Sequence, residues 1–129
     1  MTTDTHNADT LALRDRFFAA VTSGDINGVR ACYAPDAVVW HNTDSASQSV
    51  DENLRVLGWI ARNVRDFRYE DVRCQPTPTG FVEQHITCGT SPGGTEFAIP
   101  ACIVCTVVDG LVTRLDEYLD SAQTARIAS

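Results

Sequence analysis

The spacing of the apolar residues changes once along this chain, near residue 66, and that change constrains the fold more than any other feature. Before it, apolar residues recur at helical intervals, as at Leu13, Phe17 and Ala20. After it, apolar and polar residues alternate in runs separated by glycine and proline turns. Helices followed by strands, rather than interleaved with them, predict an α+β domain whose curved, mostly antiparallel sheet wraps around three N-terminal helices.

The local signals predict three helices and five strands. The first helix covers residues 10–23 and ends at Gly24, Asp25 caps the second, and Ser49 with Glu52 forms a capping box that opens the third. The strands are predicted over residues 36–41, 67–74, 81–90, 95–108 and 111–120. Pro100 falls inside one of these strands, so we expect either a sheet edge or, preferably, a bulge at that point.

A chain of 129 residues has room for one domain. We expect a disordered N-terminal tail over residues 1–9, the domain over residues 10–121, and a C-terminal tail over residues 122–129. The tails are assigned because they lack the apolar periodicity of the segment between them.

The charged residues exclude several classes of function. Seventeen acidic residues face ten basic ones, for a net charge of −7, and every basic residue is arginine. Without lysine the chain has no Schiff-base nucleophile and no Walker phosphate loop. Without a basic cluster it has no surface suited to nucleic acid, whose binding depends on arrays of Lys and Arg.

The cysteines and the hydropathy pattern suggest an intracellular protein. The five cysteines are an odd number, which favours reduced thiols and a cytoplasmic location. Cys102 and Cys105 match a C-x-x-C pattern, but on a strand they point to opposite faces, so we expect neither a redox pair nor a metal site. No segment is long and apolar enough to span a membrane. We expect no cofactor, because no nucleotide or flavin motif occurs.

Three segments together resemble a known superfamily. They are FFAAVTSGDINGV over residues 17–29, YAPDAVVWH over residues 33–41 and VVDGLVTRLDEY over residues 107–118. In this order and spacing they are similar to the nuclear transport factor 2-like superfamily, in its SnoaL-like polyketide-cyclase and ketosteroid-isomerase-like branch. The resemblance implies a cone-shaped α+β barrel with an apolar pocket at its open end, and a homodimer formed through the sheet. It does not fix the reaction, because this fold hosts isomerases, cyclases, dehydratases, hydrolases and binding modules.

The functional positions of two branches carry over only in part. The resemblance to ketosteroid isomerases aligns their carboxylate base with His41 of this chain and their first-helix tyrosine with Phe17. Their second acid corresponds to a position near Ala101, where this chain has no carboxylate. In limonene-epoxide hydrolases, the arginine and one aspartate fall on Gln84 and Ile86. Their first-strand tyrosine and asparagine fall on Val39 and His41, and their last-strand acid is kept in type as Glu117.

His41 and Glu117 are therefore the candidate catalytic residues. Histidine titrates near neutral pH, and a glutamate on an apolar strand face is costly to bury unless it is paired or functional. We hypothesise that His41 is a general acid/base and that Glu117 orients its ring or donates a second proton. Alternatively, His41 is a polar rim residue and Glu117 pairs with an arginine such as Arg114 or with an exposed partner.

The expected partner is a small hydrophobic ligand, with no metal. We predict a cofactor-independent acid/base enzyme acting on a carbonyl or polycyclic metabolite. The alternative is a non-catalytic ligand-binding or dimerisation module of the same fold. The expected substrate-binding residues are Phe17, Val39, Leu57, Trp59, Gln84, Ile86, Ala101, Leu115 and Leu119.

Overall fold

In the computed structural model, which describes residues 3–129, helices pack against one six-stranded sheet. The predicted α+β class, with three leading helices and a mostly antiparallel sheet, is confirmed. The elements are α1 (Thr3–Ser23), α2 (Ile26–Cys32), β1 (Tyr33–His41), β2 (Ala46–Gln48), α3 (Val50–Asn63), β3 (Arg65–Thr77), β4 (Gly80–Thr90), β5 (Glu96–Val108), β6 (Leu111–Leu119) and α4 (Ser121–Thr124), followed by a 3-10 turn (Ala125–Ile127).

The sheet order is β2-β1-β6-β5-β4-β3. Strands β3 to β6 form an antiparallel meander, and β1 joins it by pairing in parallel with β6. Register shifts interrupt the β3–β4, β5–β6 and β1–β6 ladders. Such irregularities bend strands and increase their twist, which lets the sheet curve around α1 and α3.

Local side-chain signals set the helix boundaries. The Ser49 side chain accepts a hydrogen bond from the Glu52 amide, and the Glu52 side chain accepts one from the Ser49 amide, so the predicted capping box is present. Asp25 caps α2 through the Gly28 amide. Helix α2 ends at Cys32, and Pro35 lies within β1, where the β1–β6 register shifts and a missing N–H is tolerated.

Both predicted tails contain regular structure. Helix α1 begins at Thr3, well before the predicted start at Thr10, and His6 Nε2 lies 3.1 Å from the Thr77 carbonyl oxygen. The prediction of a disordered tail therefore fails for the described residues 3–9, while residues 1 and 2 lie outside the described residues. At the other end, residues 121–127 form α4 and a 3-10 turn, and the Gly93 amide donates to the Ser129 carbonyl.

Pro100 occupies a regular position in β5, opposite Ile86 of β4, without a register shift. The expected bulge is absent from this part of the described sheet. Instead, the β5–β6 pairing stops at Ala101, so Pro100 has no ladder partner on the β6 side. The edge alternative accounts for this proline, because a residue there needs no N–H for the ladder. Among residues 3–129, no helix is long and apolar enough to cross a membrane.

Candidate functional site

A cavity of about 190 Å³ lies between the helices and the concave face of the sheet. Its wall is mainly aliphatic and aromatic, and Thr124 and Ile127 near the C-terminus contribute to it. Such a space is smaller than the roughly 300–1,000 Å³ of sites that hold drug-sized ligands. Five of the predicted substrate-binding residues line it, namely Phe17, Val39, Leu57, Leu115 and Leu119.

His41 and Glu117 meet at the wall of this cavity. They are directly opposed in the parallel β1–β6 ladder, so both side chains leave the sheet on the same face. His41 Nε2 lies 3.0 Å from Glu117 Oε1, and the two side chains are 23% and 20% exposed. Asn42 connects the ends of β1 and β6. Its backbone N–H donates to the Glu117 carbonyl oxygen, and its side-chain Oδ1 accepts from the backbone N–H of Leu119.

The pairing changes the protonation of His41. The hydrogen bond that His41 donates to Glu117 raises the pKa of His41, partial burial opposes that shift, and the charges of Glu117 and Asp44 add to it. The imidazolium form of His41 is therefore more stable than that of a free histidine. The alternative partner for Glu117 is not used, because Arg114 pairs with Asp116 on the outer face.

Two tyrosines give the cavity polar groups that the sequence analysis missed. The Tyr33 hydroxyl donates to Asn53 Oδ1 at 2.9 Å, and both residues line the cavity. Tyr69, also in the wall, is held against Phe18 and Phe67 by edge-to-face ring contacts. Burial raises the pKa of both phenols, so they stay un-ionised and can donate hydrogen bonds. Tyr33 begins β1 and Tyr69 lies within β3, and neither position carries a recognisable motif.

Four predicted substrate-binding residues lie outside the cavity wall. Gln84 is exposed and Ile86 only half-buried, because the inward face of β4 carries the odd-numbered residues. Trp59 packs instead against the apolar cluster of Val64, Phe97 and Ile99. Ala101 is buried, but the cavity does not reach it.

The odd-numbered face of β4, opposite the predicted pocket residues Gln84 and Ile86, buries a charged network. Arg14 of α1 donates through Nε to Glu83 Oε1 and through Nη2 to Glu83 Oε2, the latter at 3.1 Å. Glu83 Oε2 lies 2.6 Å from His85 Nδ1, and neither the Glu83 nor the His85 side chain is exposed. Burial alone would raise the pKa of Glu83, but hydrogen bonds from His85 and Arg14 outweigh it and lower that pKa.

The thiols form no site of their own. All five cysteines are free, and Cys102 and Cys105 lie on opposite faces of β5, as predicted. Within residues 3–129, no three His, Cys, Asp or Glu side chains come together in a way that could hold a metal ion.

Residues 15–115 match the sequence model of the SnoaL-like domain family. No curated protein matches the chain. Among solved structures, a Xanthomonas campestris protein assigned to the polyketide cyclases superposes with a TM-score of 0.81 at 16% identity, covering 95% of this chain and 98% of that one.

Two further solved structures share the fold. A Catenulispora acidiphila protein with a ketosteroid isomerase-like fold, in complex with trimethylamine, gives a TM-score of 0.76 at 14% identity and covers 88% of this chain and 90% of its own. An LEH-like epoxide hydrolase from M. tuberculosis gives a TM-score of 0.76 at 18% identity, with coverages of 92% and 87%. At these identities the similarity extends to the fold, while the side chains around the cavity are this chain's own.

Proposed function

The chain belongs to the SnoaL-like domain family, and from that premise we propose that it is an acid/base enzyme acting on a small hydrophobic carbonyl or polycyclic metabolite. The reaction is of the isomerase, cyclase, dehydratase or hydrolase type. The observation that carries this proposal is the His41–Glu117 pair, with Nε2 and Oε1 3.0 Å apart, at the wall of an apolar cavity. A partly exposed acid/base pair beside a binding cavity is the arrangement that proton-transfer catalysis requires.

The pair can move two protons in one substrate. The contact between the two side chains uses His41 Nε2 and Glu117 Oε1, and both side chains are partly exposed, which leaves His41 Nδ1 and Glu117 Oε2 for a ligand. The His41 imidazolium donates a proton from Nδ1 to a carbonyl oxygen, while Glu117 Oε2 accepts a proton from the adjacent carbon. The product is an enol. From a β,γ-unsaturated ketone it is a dienol, and Glu117 then returns its proton to the γ-carbon while the enol hydroxyl returns its proton to His41, which moves the double bond.

The cavity supports a small and mostly apolar substrate. A volume of about 190 Å³ suits one or two rings, and aliphatic and aromatic side chains dominate its wall. The relatives support the range of chemistry, since one is assigned to the polyketide cyclases and another is an epoxide hydrolase. The trimethylamine bound to the Catenulispora acidiphila protein supports the idea that this fold accepts a small ligand.

Deuterium exchange at the α-carbon of cyclohexanone tests the proposal without knowledge of the natural substrate. We expect the protein in D₂O to accelerate exchange, followed by proton NMR. His41→Asn and Glu117→Gln should each reduce the rate by about 10²-fold or more, the usual contribution of a positioned acid or base. Asp116→Asn is the matched control, because it removes a neighbouring carboxylate from the outer face of the same strand. Equal exchange by wild type and both dyad variants would exclude acid/base catalysis by this pair.

A non-catalytic binding module is the second candidate. It is supported by Phe17, which has no hydroxyl where the resemblance implies a tyrosine, and by the absence of a carboxylate between Phe97 and Val108. This candidate predicts that cyclohexanone binds, with ligand-induced shifts of cavity resonances, while its α-protons exchange no faster than in buffer.

We further propose that the protein is a homodimer formed through the outer face of the sheet. Val104 and Tyr118 are 41% and 44% exposed there, and Tyr118 stacks edge-to-face on Trp40 with 5.3 Å between ring centroids. Exposed apolar side chains grouped on one face favour a protein contact. Analytical ultracentrifugation should show a dimer that Val104→Glu dissociates, whereas Val72→Glu, on β3, leaves the mass unchanged. The five free thiols support a cytoplasmic location.

A further inference from the structure

Tyr69 belongs to the cavity wall at a distance from the His41–Glu117 pair. Its strand, β3, is separated from β6 by β5 and β4, so three strand spacings, or about 14 Å along the sheet, lie between Tyr69 and Glu117. Tyr69 is directly opposite Thr87 in the β3–β4 ladder, and both residues line the cavity. The pair and Tyr69 are therefore polar groups on two separate parts of one mainly apolar wall.

Ring contacts hold the Tyr69 side chain in place. The ring packs edge-to-face on Phe18 and Phe67, at centroid distances of 5.0 and 5.5 Å, and lies 4.4 Å from the His85 ring. Phe18 and Phe67 also line the cavity. Because these contacts already restrict the phenol, it loses little further freedom when it binds a ligand, and a hydrogen bond from it adds more to the affinity.

The hydroxyl of Tyr69 has hydrogen-bonding capacity that the described residues do not use. The Tyr33 hydroxyl donates to Asn53, whereas no other described residue is hydrogen-bonded to the hydroxyl of Tyr69. This hydroxyl is not fully buried either, because the buried polar side-chain atoms without a partner in this part of the chain are His85 Nε2 and Thr87 Oγ1. Tyr69 as a whole is half-buried. A group that enters the cavity can therefore reach its hydroxyl.

The charges near this hydroxyl indicate which way it faces. Burial raises the pKa of Tyr69 most, followed by the charge of Glu117 and then that of Glu83. Glu117 has the larger effect although Glu83 belongs to the network that touches the Tyr69 ring through His85. This order indicates that the hydroxyl faces the space in front of Glu117 rather than the buried network. The phenol also keeps its proton at neutral pH and remains a donor.

We propose that the Tyr69 hydroxyl binds a second oxygen atom of the ligand, at a position remote from His41 and Glu117. This inference rests on the proposed function in taking the cavity as the binding site. A neutral phenol donates its hydrogen to a carbonyl or hydroxyl oxygen, whereas a hydrocarbon group in the same place would leave the phenol desolvated and unpaired. The cavity therefore selects small cyclic ketones that have an oxygen at each end over those with a hydrocarbon end.

Binding of cyclohexane-1,4-dione tests the proposal, with 4-methylcyclohexanone as a probe in which a methyl group replaces the second oxygen. In isothermal titration calorimetry we expect Tyr69→Phe to weaken dione binding by about 3- to 10-fold, the effect of one lost hydrogen bond. Binding of 4-methylcyclohexanone should be unaltered or tighter, because Phe keeps the ring contacts of Tyr69. Tyr118→Phe is the matched control, since it removes the same group from an exposed ring on the outer face and should change neither affinity. Equal effects of Tyr69→Phe on the two probes would overturn the proposal.

Infrared spectra of the bound dione give a second measurement, because a carbonyl that accepts a hydrogen bond absorbs at a lower frequency. We expect both carbonyl bands to be lowered in the wild type relative to a hydrocarbon solvent, and Tyr69→Phe to return one of them toward the hydrocarbon value. Identical spectra for the wild type and Tyr69→Phe would refute the proposal.

Two further outcomes separate this inference from the proposed function. Failure of both probes to bind the wild type would overturn the inference together with the cavity as a binding site. No acceleration of cyclohexanone exchange, combined with a preference for the dione that Tyr69→Phe removes, would refute the acid/base function and leave the second-oxygen site supported.

Discussion

Replacing Arg14 by Met should isolate a carboxylate in the protein interior. Glu83 would keep its hydrogen bond with His85 but lose both contacts from the guanidinium, which neutralises its charge. The Glu83 side chain is completely buried, so water cannot take over those contacts without opening the fold. Met preserves most of the apolar stem of Arg14, which limits the change to the lost charge and hydrogen bonds.

The expected cost can be bounded in two ways. Removing one member of a buried ion pair typically destabilises a protein by about 3–5 kcal/mol. The loss in the free energy of unfolding cannot much exceed the cost of protonating Glu83, because the variant can bury a neutral carboxyl group instead of an unpaired carboxylate. For a glutamate of ordinary pKa near 4.3, protonation at pH 7 costs about 3.7 kcal/mol, at about 1.36 kcal/mol per pH unit. We therefore expect the free energy of unfolding to fall by about 3–4 kcal/mol at pH 7, a large part of the stability of a typical domain.

The destabilisation should shrink as the pH falls. In the wild type the pKa of Glu83 is lowered, so its contribution to stability is present above the ordinary pKa and is lost only as the pH falls through the lowered one. In the Arg14→Met variant, burial without the guanidinium raises the pKa of Glu83. As the pH falls, the folded state therefore takes up a proton at a higher pH than the unfolded state does. At pH 5 protonating Glu83 costs only about 1 kcal/mol, so the two proteins should then differ by little more than that.

Urea unfolding of both proteins at pH 7 and pH 5, followed by circular dichroism, measures this difference. Arg16→Met is the matched control, because Arg16 is exposed on the same helix and should cost no more than about 0.5 kcal/mol. The double variant Arg14→Met with Glu83→Gln should recover much of the loss, since no charge is then left buried. An Arg14→Met effect no larger than that of Arg16→Met, or equal at both pH values, would refute the reasoning.

Three further predictions concern the strand ends and the helix caps. Because the pKa of His41 is raised, this residue stabilises the fold at a pH below its ordinary pKa of ~6.5 and loses that contribution as the pH rises through the raised pKa. The difference in the free energy of unfolding between wild type and His41→Asn should therefore narrow by up to about 1 kcal/mol from pH 6 to pH 9. Ser49→Ala, which removes one half of the capping box, should cost about 1 kcal/mol in chemical unfolding, whereas no loss would show that the cap contributes nothing. Gly80→Ala would place a methyl group 1.9 Å from the Cys105 carbonyl oxygen, and we expect a loss of at least about 1–3 kcal/mol, measured as a lower melting temperature.

Features set by neighbouring residues could be predicted from the sequence. The capping box at Ser49 depends on atoms three residues apart. Strand alternation alone predicted that His41 and Val39 share one strand face, and that Glu117 and Leu115 share another, and all four residues line the cavity. The distance between His41 and Glu117 could not be predicted, because it depends on β1 pairing in parallel with β6 rather than with a sequence neighbour.

The face of β4 was predicted wrongly for a physical reason. Gln84 and Ile86 were assigned to the pocket from the resemblance to limonene-epoxide hydrolases, whereas the structure turns the odd-numbered Glu83 and His85 inward. The charged residues are buried because Arg14, far away on α1, compensates Glu83. A pattern confined to one strand contains no information about that partner. The acid and the histidine two residues apart were the available signal for a paired network.

The parallel pairing of β1 with β6 has a consequence for the order in which the protein acquires its site during synthesis. β1 leaves the ribosome early, but β6, with which it pairs in parallel, follows all the other strands. Until β6 docks, His41 lacks Glu117 and the cavity lacks Leu115 and Leu119. Domains fold largely as units during translation, and contacts between distant segments form slowly. A nascent chain stalled before Leu111 would therefore lack the acid/base pair, which couples the appearance of the site to completion of the sheet.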